Sequence, residues 1–178
     1  MGAKHKSNLI KLCVAAMFAA LVWVGTIIIA IPTPLGGYIN FGDCFILIAA
    51  WTLGPLYGFA AGGIGSMLAD IYLGYVAYAP ATFIIKGLIA LVAGAVAIAA
   101  KNKRHRLVGY ITGAAAGELV MAFGYFLFEA VFIYGFEGAW LGMPGNLFQG
   151  AAGAVIGCVL ICILEKSVLK KQLLSTKQ

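Results

Sequence analysis

Apolar residues fall along this chain in long unbroken runs, and polar residues gather between the runs. Continuous apolar runs of about 20 residues predict membrane-crossing helices, whereas the strands of a membrane barrel would alternate apolar and polar positions. The pattern predicts six spans, at 12–31, 44–53, 56–73, 82–100, 107–134 and 141–164. The second is short. Counted from Phe41 it has about 13 residues, roughly 20 Å at 1.5 Å each, against about 30 Å of hydrocarbon. Burial among its neighbours, or extension by the preceding loop, would accommodate that length. The expected architecture is all-α, a six-transmembrane-helix bundle forming a single membrane domain over residues 1–178, with no linker, soluble domain or convincing internal repeat.

Small residues recur at every fourth position. Ala15/Ala19 and Ala16/Ala20 do so on the first span, Gly54, Gly58, Gly62 and Ser66 form a ladder ending at Asp70, and Gly113/Gly117 and Gly153/Gly157 follow. Such stripes let helix backbones approach closely. Internal packing accounts for the glycines. The alanine pairs suit either packing or the docking of another protein. Segments 32–43, 74–80 and 135–140 read as outer loops rich in turn residues. Tyr38, Tyr72, Tyr75, Tyr78, Tyr134 and Trp140 gather at that level, where only Tyr57 and Tyr110 mark the inner one. They form an interfacial belt, or some of them stack on a flat ligand.

Composition and charge sharpen the picture. The chain is 63% hydrophobic and 10% charged, with mean hydropathy +1.01, outside the range of soluble domains. Lys4, Lys6 and Lys11 precede the first span, Lys101, Lys103, Arg104 and Arg106 separate the fourth from the fifth, and Lys166, Lys170, Lys171 and Lys177 follow the sixth. All three clusters fall on the cytoplasmic side if 41–73 crosses twice, which puts both termini in the cytoplasm. The net charge of +6 is thereby a topology signal and gives no basic face for nucleic acid. An apolar run of about 20 residues exceeds the 7–15 of a signal peptide's core, so the first span is expected to stay uncleaved. Four cysteines without CxxC spacing and only two histidines leave no metal site.

Against this apolar background a few polar residues stand out. Lys86 lies inside the fourth span, where a charge costs about 2.5–3.5 kcal/mol on insertion scales and is kept for a cavity, a partner charge or a substrate. Asp70 lies near the outer end of the third span and Thr82 one turn before Lys86. Tyr125 and Glu129 share a face of the fifth span with the deeper Glu118, and Asn146 and Gln149 follow Pro144-Gly145 in the sixth. These groups predict a pocket opening outward beneath the aromatic loops. A purely structural role would pair Lys86 with Glu129 or Asp70. Asp43 reads as an N-terminal cap of the second span. No nucleophile–histidine–acid set, P-loop or GxGxxG unit is present, so the chain is not expected to be an enzyme or to hold a covalent cofactor.

Gly37-Tyr-Ile-Asn-Phe-Gly-Asp43, Trp51-Thr-Leu-Gly-Pro-Leu-Tyr-Gly58, Ala69-Asp-Ile-Tyr-Leu-Gly74 and Pro80-Ala-Thr-Phe-Ile-Ile-Lys-Gly87 add motifs to the six spans and the AxxxA pairs. Together, over nearly the whole chain, they resemble the substrate-binding S components of energy-coupling factor (ECF) vitamin transporters, in the subgroup associated with riboflavin-like compounds, hydroxymethylpyrimidine and vitamin B6. The resemblance implies a multi-pass protein of a prokaryotic plasma membrane that captures a vitamin outside under a first-loop lid containing Tyr38 and Asn40. It implies a membrane coupling subunit, met through Ala15, Ala16, Ala19 and Ala20, and two partner ATPases that bind the ATP. Lys86, Asn146 and Gln149 fall on helices that line the family's pocket. The start Met-Gly-Ala-Lys lacks the Met-His of nickel and cobalt members, which disfavours a metal substrate.

The expected substrate site comprises Lys86, Asn146, Gln149, Glu129, Tyr125, Thr82, Asp70, Tyr78, Tyr38, Asn40 and Trp140. Several acids against one lysine suit a neutral or amine-bearing heterocycle, pyridoxine or hydroxymethylpyrimidine, with riboflavin as the runner-up. An autonomous secondary transporter would need a polar path through 88–100 and 151–164, which are almost wholly apolar. A scaffold without ligand would use the charges only as glue between helices.

Overall fold

The computed structural model describes residues 3–33, 37–100 and 106–175. Six α-helices occur among the described residues: α1 (Ala3–Ile28), α2 (Gly42–Leu53), α3 (Pro55–Leu73), α4 (Ala79–Ala99), α5 (Arg106–Phe128) and α6 (Gly135–Ser175). Two short antiparallel strands, β1 (Ile31–Pro32) and β2 (Tyr38–Ile39), make a hairpin between α1 and α2. Five segments are long and apolar enough to cross a membrane: Asn8–Ile28, Pro55–Leu73, Ala79–Ala99, Arg106–Ile133 and Gly135–Ser167. Helix α2, with 12 residues, is not one of them.

The short α2 is apolar all round, and such a helix is stable only when surrounded. It packs against α1, α3, α4 and α6, with Ile46, Leu47 and Ala49 fully buried. Because protein encloses it, its length need not match the bilayer. Val22, Ile46, Leu47, Ile89 and Met121 form the centre of the core. Large apolar side chains such as Met17, Ile84, Phe123 and Val155 point outward. In lipid those contacts give helices no reason to associate, so close approach must do so. A Cβ on Gly113 would stand 2.7 Å from the Ala93 carbonyl oxygen, and one on Gly62 would stand 2.9 Å from Ile46 Cγ2.

The predicted outer loop at 135–140 is helical instead. Helix α5 runs on into a π-helical turn, Glu129–Ile133, closed by Tyr134 N–H donating to the Glu129 carbonyl at 2.8 Å. One residue in the left-handed region, Gly135 (φ 73°), reverses the chain, and α6 starts there. A single glycine makes the reversal, so the residues after it are free to be helical.

Arg106 and Glu165 meet at 3.1 Å, and the Tyr110 hydroxyl donates to Glu165 at 2.8 Å. Lys11, Arg106 and Lys166 thus sit at the end of the bundle away from the hairpin. The side chains of Lys4, Lys6, Lys101, Lys103, Arg104, Lys170, Lys171 and Lys177, on which the expected orientation also rested, lie outside the described residues.

Candidate functional site: a polar cleft beneath the hairpin

Helix periodicity builds this site. On α3 the four-residue stripe that begins with Gly58 and Gly62 packs against α2 and α4, then continues as Ser66 and Asp70 into a cleft at the hairpin end. Helix α4 adds Thr82 and Lys86 one turn apart, and α5 with its π-turn adds Tyr125 and Glu129. Helix α6 brings Gly142, Gly145, Asn146 and Gln149, two glycines leaving space beside two amides. Thr33, Gly37, Tyr38, Ile39 and Asn40 cover the cleft from the hairpin, Tyr75 and Tyr78 from the α3–α4 turn, and Thr26 from α1. The cavity volume is about 60 Å³.

Ten of the eleven residues expected at the site line this cleft. The exception is Trp140, which is half exposed on α6 and packs on Phe126 (ring centroids 4.9 Å apart) and Phe136. Its displacement follows from the helical start of α6, which turns it away from the cleft. Tyr72 also stands outside, edge-on to Trp23 at 5.6 Å.

The partner of Lys86 is neither Glu129 nor Asp70. Its Nζ donates to Asp43 Oδ1 at 2.6 Å, with the two side chains 3% and 0% exposed. Asp43 therefore does not cap α2, and Phe41 occupies the N-cap position without a side-chain cap bond. Lys86 Nζ also lies 3.4 Å from Met121 Sδ and 5.6 Å from the Tyr125 ring centre. An acid just before an apolar helix ordinarily reads as a cap. Here the helix is enclosed, so its first turn meets the α4 lysine instead of water.

Gln149 ties this ion pair to the hairpin. Its Nε2 donates to Asp43 Oδ2 at 2.7 Å, and its Oε1 accepts from the Asn40 backbone N–H at 2.9 Å and from Asn40 Nδ2 at 3.3 Å. Asn40 Oδ1 accepts from the Gly42 N–H at 3.0 Å, fixing the turn into α2. On the other side the Tyr38 hydroxyl donates to Asp70 Oδ1 at 2.5 Å. Burial and then the Asp70 carboxylate push the Tyr38 phenol up in pKa, so it stays a donor. The Thr82 and Tyr125 hydroxyls are 2.9 Å apart, and the Tyr78 hydroxyl donates to Glu129 Oε1 at 3.5 Å. Glu118 lies deeper than the cleft, 6% exposed, with no hydrogen bond to either carboxylate oxygen among the described residues. Among the described residues no group of three or more His, Cys, Asp or Glu could hold a metal ion.

A profile of the ECF-type riboflavin transporter S component family matches residues 6–166. The chain belongs to this family. A protein of Pyrococcus woesei, described as an uncharacterized protein in the gap 3′ region, is 37% identical over 148 residues, 83% of this chain and 96% of the relative. A solved structure of the S component of a bacterial ECF transporter superposes with a TM-score of 0.62 at 22% identity, covering 92% of this chain and 98% of the other, and supports the fold. This S component is thus a multi-pass membrane protein and a substrate-binding subunit of a transporter, not an enzyme.

Of the four alanines on the α1 stripe, Ala15 is buried and Ala19 half-buried against α3, so Ala15 serves the interior. Ala16 and Ala20 are exposed. Thr26, Ser66 and Tyr75 are cleft residues that sequence reasoning did not assign to the site. Ser66 was legible as the ladder position one turn before Asp70. Nothing in the sequence singled out Thr26.

Proposed function

We propose that this S component is the high-affinity vitamin-binding subunit of an ATP-driven importer in a prokaryotic plasma membrane. The observation that carries the reading is the enclosed polar cleft itself, roofed by a hairpin that is pinned at Asn40 and Tyr38. Six membrane-embedded helices, with α2 held inside the bundle and both termini in the cytoplasm, would open that cleft outward. The substrate contacts are Lys86, Asn146, Gln149, Glu129, Tyr125, Thr82, Asp70, Tyr78, Tyr38 and Asn40. Exposed Ala16 and Ala20, with Ala19 at the edge, offer the smooth helix face for a membrane coupling subunit. Two partner ATPases would supply the energy.

Several acids against one lysine in the cleft suit a neutral or amine-bearing heterocycle of one ring. That favours pyridoxine or hydroxymethylpyrimidine as the substrate. Riboflavin is the second reading, on the strength of the family match. Isothermal titration of the purified protein with the three compounds decides between them. Saturable binding of a one-ring compound supports the first reading, binding of riboflavin alone supports the second, and no heat with any of them contradicts the vitamin-binding role.

A further inference from the structure

The charges inside the cleft do not balance. Lys86 is its cation, and that ammonium is already committed to Asp43 at 2.6 Å, behind the lining. Two other carboxylates face the cavity, Asp70 from α3 and Glu129 from the π-turn, 3% and 8% exposed. Neither forms an ion pair among the described residues. Their hydrogen bonds come from neutral phenols, Tyr38 to Asp70 and Tyr78 to Glu129. Among the described residues Asp70 Oδ2 accepts no hydrogen bond, although the Thr82 hydroxyl lies near that carboxylate. One turn earlier the Ser66 hydroxyl, 2% exposed, also lines the cavity without a partner among the described residues.

The wall between the two acids is aromatic. Tyr38 and Tyr75 rings stand 4.9 Å apart and Tyr75 and Tyr78 rings 6.4 Å apart, so a run of three tyrosines reaches from Asp70 to Glu129. Aromatic faces attract cations, and most strongly where water is excluded. Buried carboxylates without a counter-charge are costly until a cation joins them.

We propose that the cleft selects an organic cation, a ring compound bearing an ammonium or a protonated amine, whose positive nitrogen lies along the tyrosine run within reach of Asp70 or Glu129. Ser66 meets a second polar group on the same edge. This rests on the vitamin-binding reading and narrows its substrate class: the amine discriminates among ligands, and the ring provides the fit.

The test is a titration of the full-length protein in detergent with pyridoxamine, pyridoxine and riboflavin, repeated on Asp70→Asn and Glu129→Gln. The first compound differs from the second by an ammonium in place of a hydroxyl. Pyridoxamine should bind at least about tenfold more tightly than pyridoxine. Asp70→Asn or Glu129→Gln should remove most of that preference. The variants lie on different elements, so misfolding of one, seen in its thermal melt, leaves the other to decide. Equal affinity for the two pyridines, or a preference unchanged in both variants, overturns the cation proposal and leaves the vitamin-binding role standing. Riboflavin binding alone has the same consequence. Failure of all three ligands on the unsubstituted protein overturns both.

Discussion

Lys86→Met separates an anchoring ion pair from a dispensable one. The pair is 2.6 Å long and essentially dry, at 3% and 0% exposure. At an effective dielectric of about 20 its Coulomb energy is roughly 6 kcal/mol. Desolvation of both ions offsets much of that, so the pair's net contribution is small, but removing one partner strands the other. Stranding a buried charge costs about 3–5 kcal/mol. Asp43 would keep only the Gln149 amide at 2.7 Å. At about 2–4 °C per kcal/mol for a chain of this size, the melting temperature should fall by about 6–20 °C. The double variant Asp43→Asn/Lys86→Met replaces the pair by neutral groups and should recover more than half of the loss. Tryptophan fluorescence during heating, in detergent or nanodiscs, reads both. A Lys86→Met melt within about 2 °C of the parent would falsify the anchoring role, as would a double variant no more stable than the single one.

Other expectations follow from particular contacts. Glu118→Met should raise the melting temperature, because two buried carboxylate oxygens without partners among the described residues cost about 1–3 kcal/mol and methionine has none; a lower melt would show that Glu118 is held by a stabilising partner. Gly113→Val should destabilise the α4–α5 contact by several degrees, since even a Cβ there meets the Ala93 carbonyl at 2.7 Å, and an unchanged melt would mean the helices separate freely. Ala16→Leu should leave ligand affinity intact and reduce co-purification with a coupling subunit, whereas Ala15→Leu, at a buried position, should lower stability; the opposite pairing of effects would assign the docking face elsewhere. Gln149→Leu should unpin Asn40 from α6 and speed ligand release, measured by rapid dilution, and an unchanged off-rate would mean the hairpin is held without it.

Much of the candidate cleft's lining was legible because membrane chemistry makes it so. In an apolar span every ionisable or amide side chain is conspicuous, and helix periodicity then groups Thr82 with Lys86 and Tyr125 with Glu129. What the sequence hid were pairings across helices. Asp43 and Lys86 are 43 positions apart, and Asp43 sits where a capping residue would, so its local reading displaced its tertiary one. Trp140 was misplaced for a similar reason. The stretch after Tyr134 has loop-like composition, yet Gly135 alone turns the chain and carries Trp140 onto the outside of α6. The shortness of α2 was visible; that four neighbouring helices enclose it was not, since enclosure depends on the whole bundle.

The central claim is that the cleft beneath the hairpin holds one vitamin-like ring. Mass spectrometry of the small molecules released on denaturing protein purified from cells supplied with pyridoxine, pyridoxamine, hydroxymethylpyrimidine and riboflavin tests it most directly. Close to one equivalent of a single ring compound should be released from the unsubstituted protein and, where that compound is pyridoxamine, far less from Asp70→Asn. Release of none of these compounds from the unsubstituted protein would contradict it.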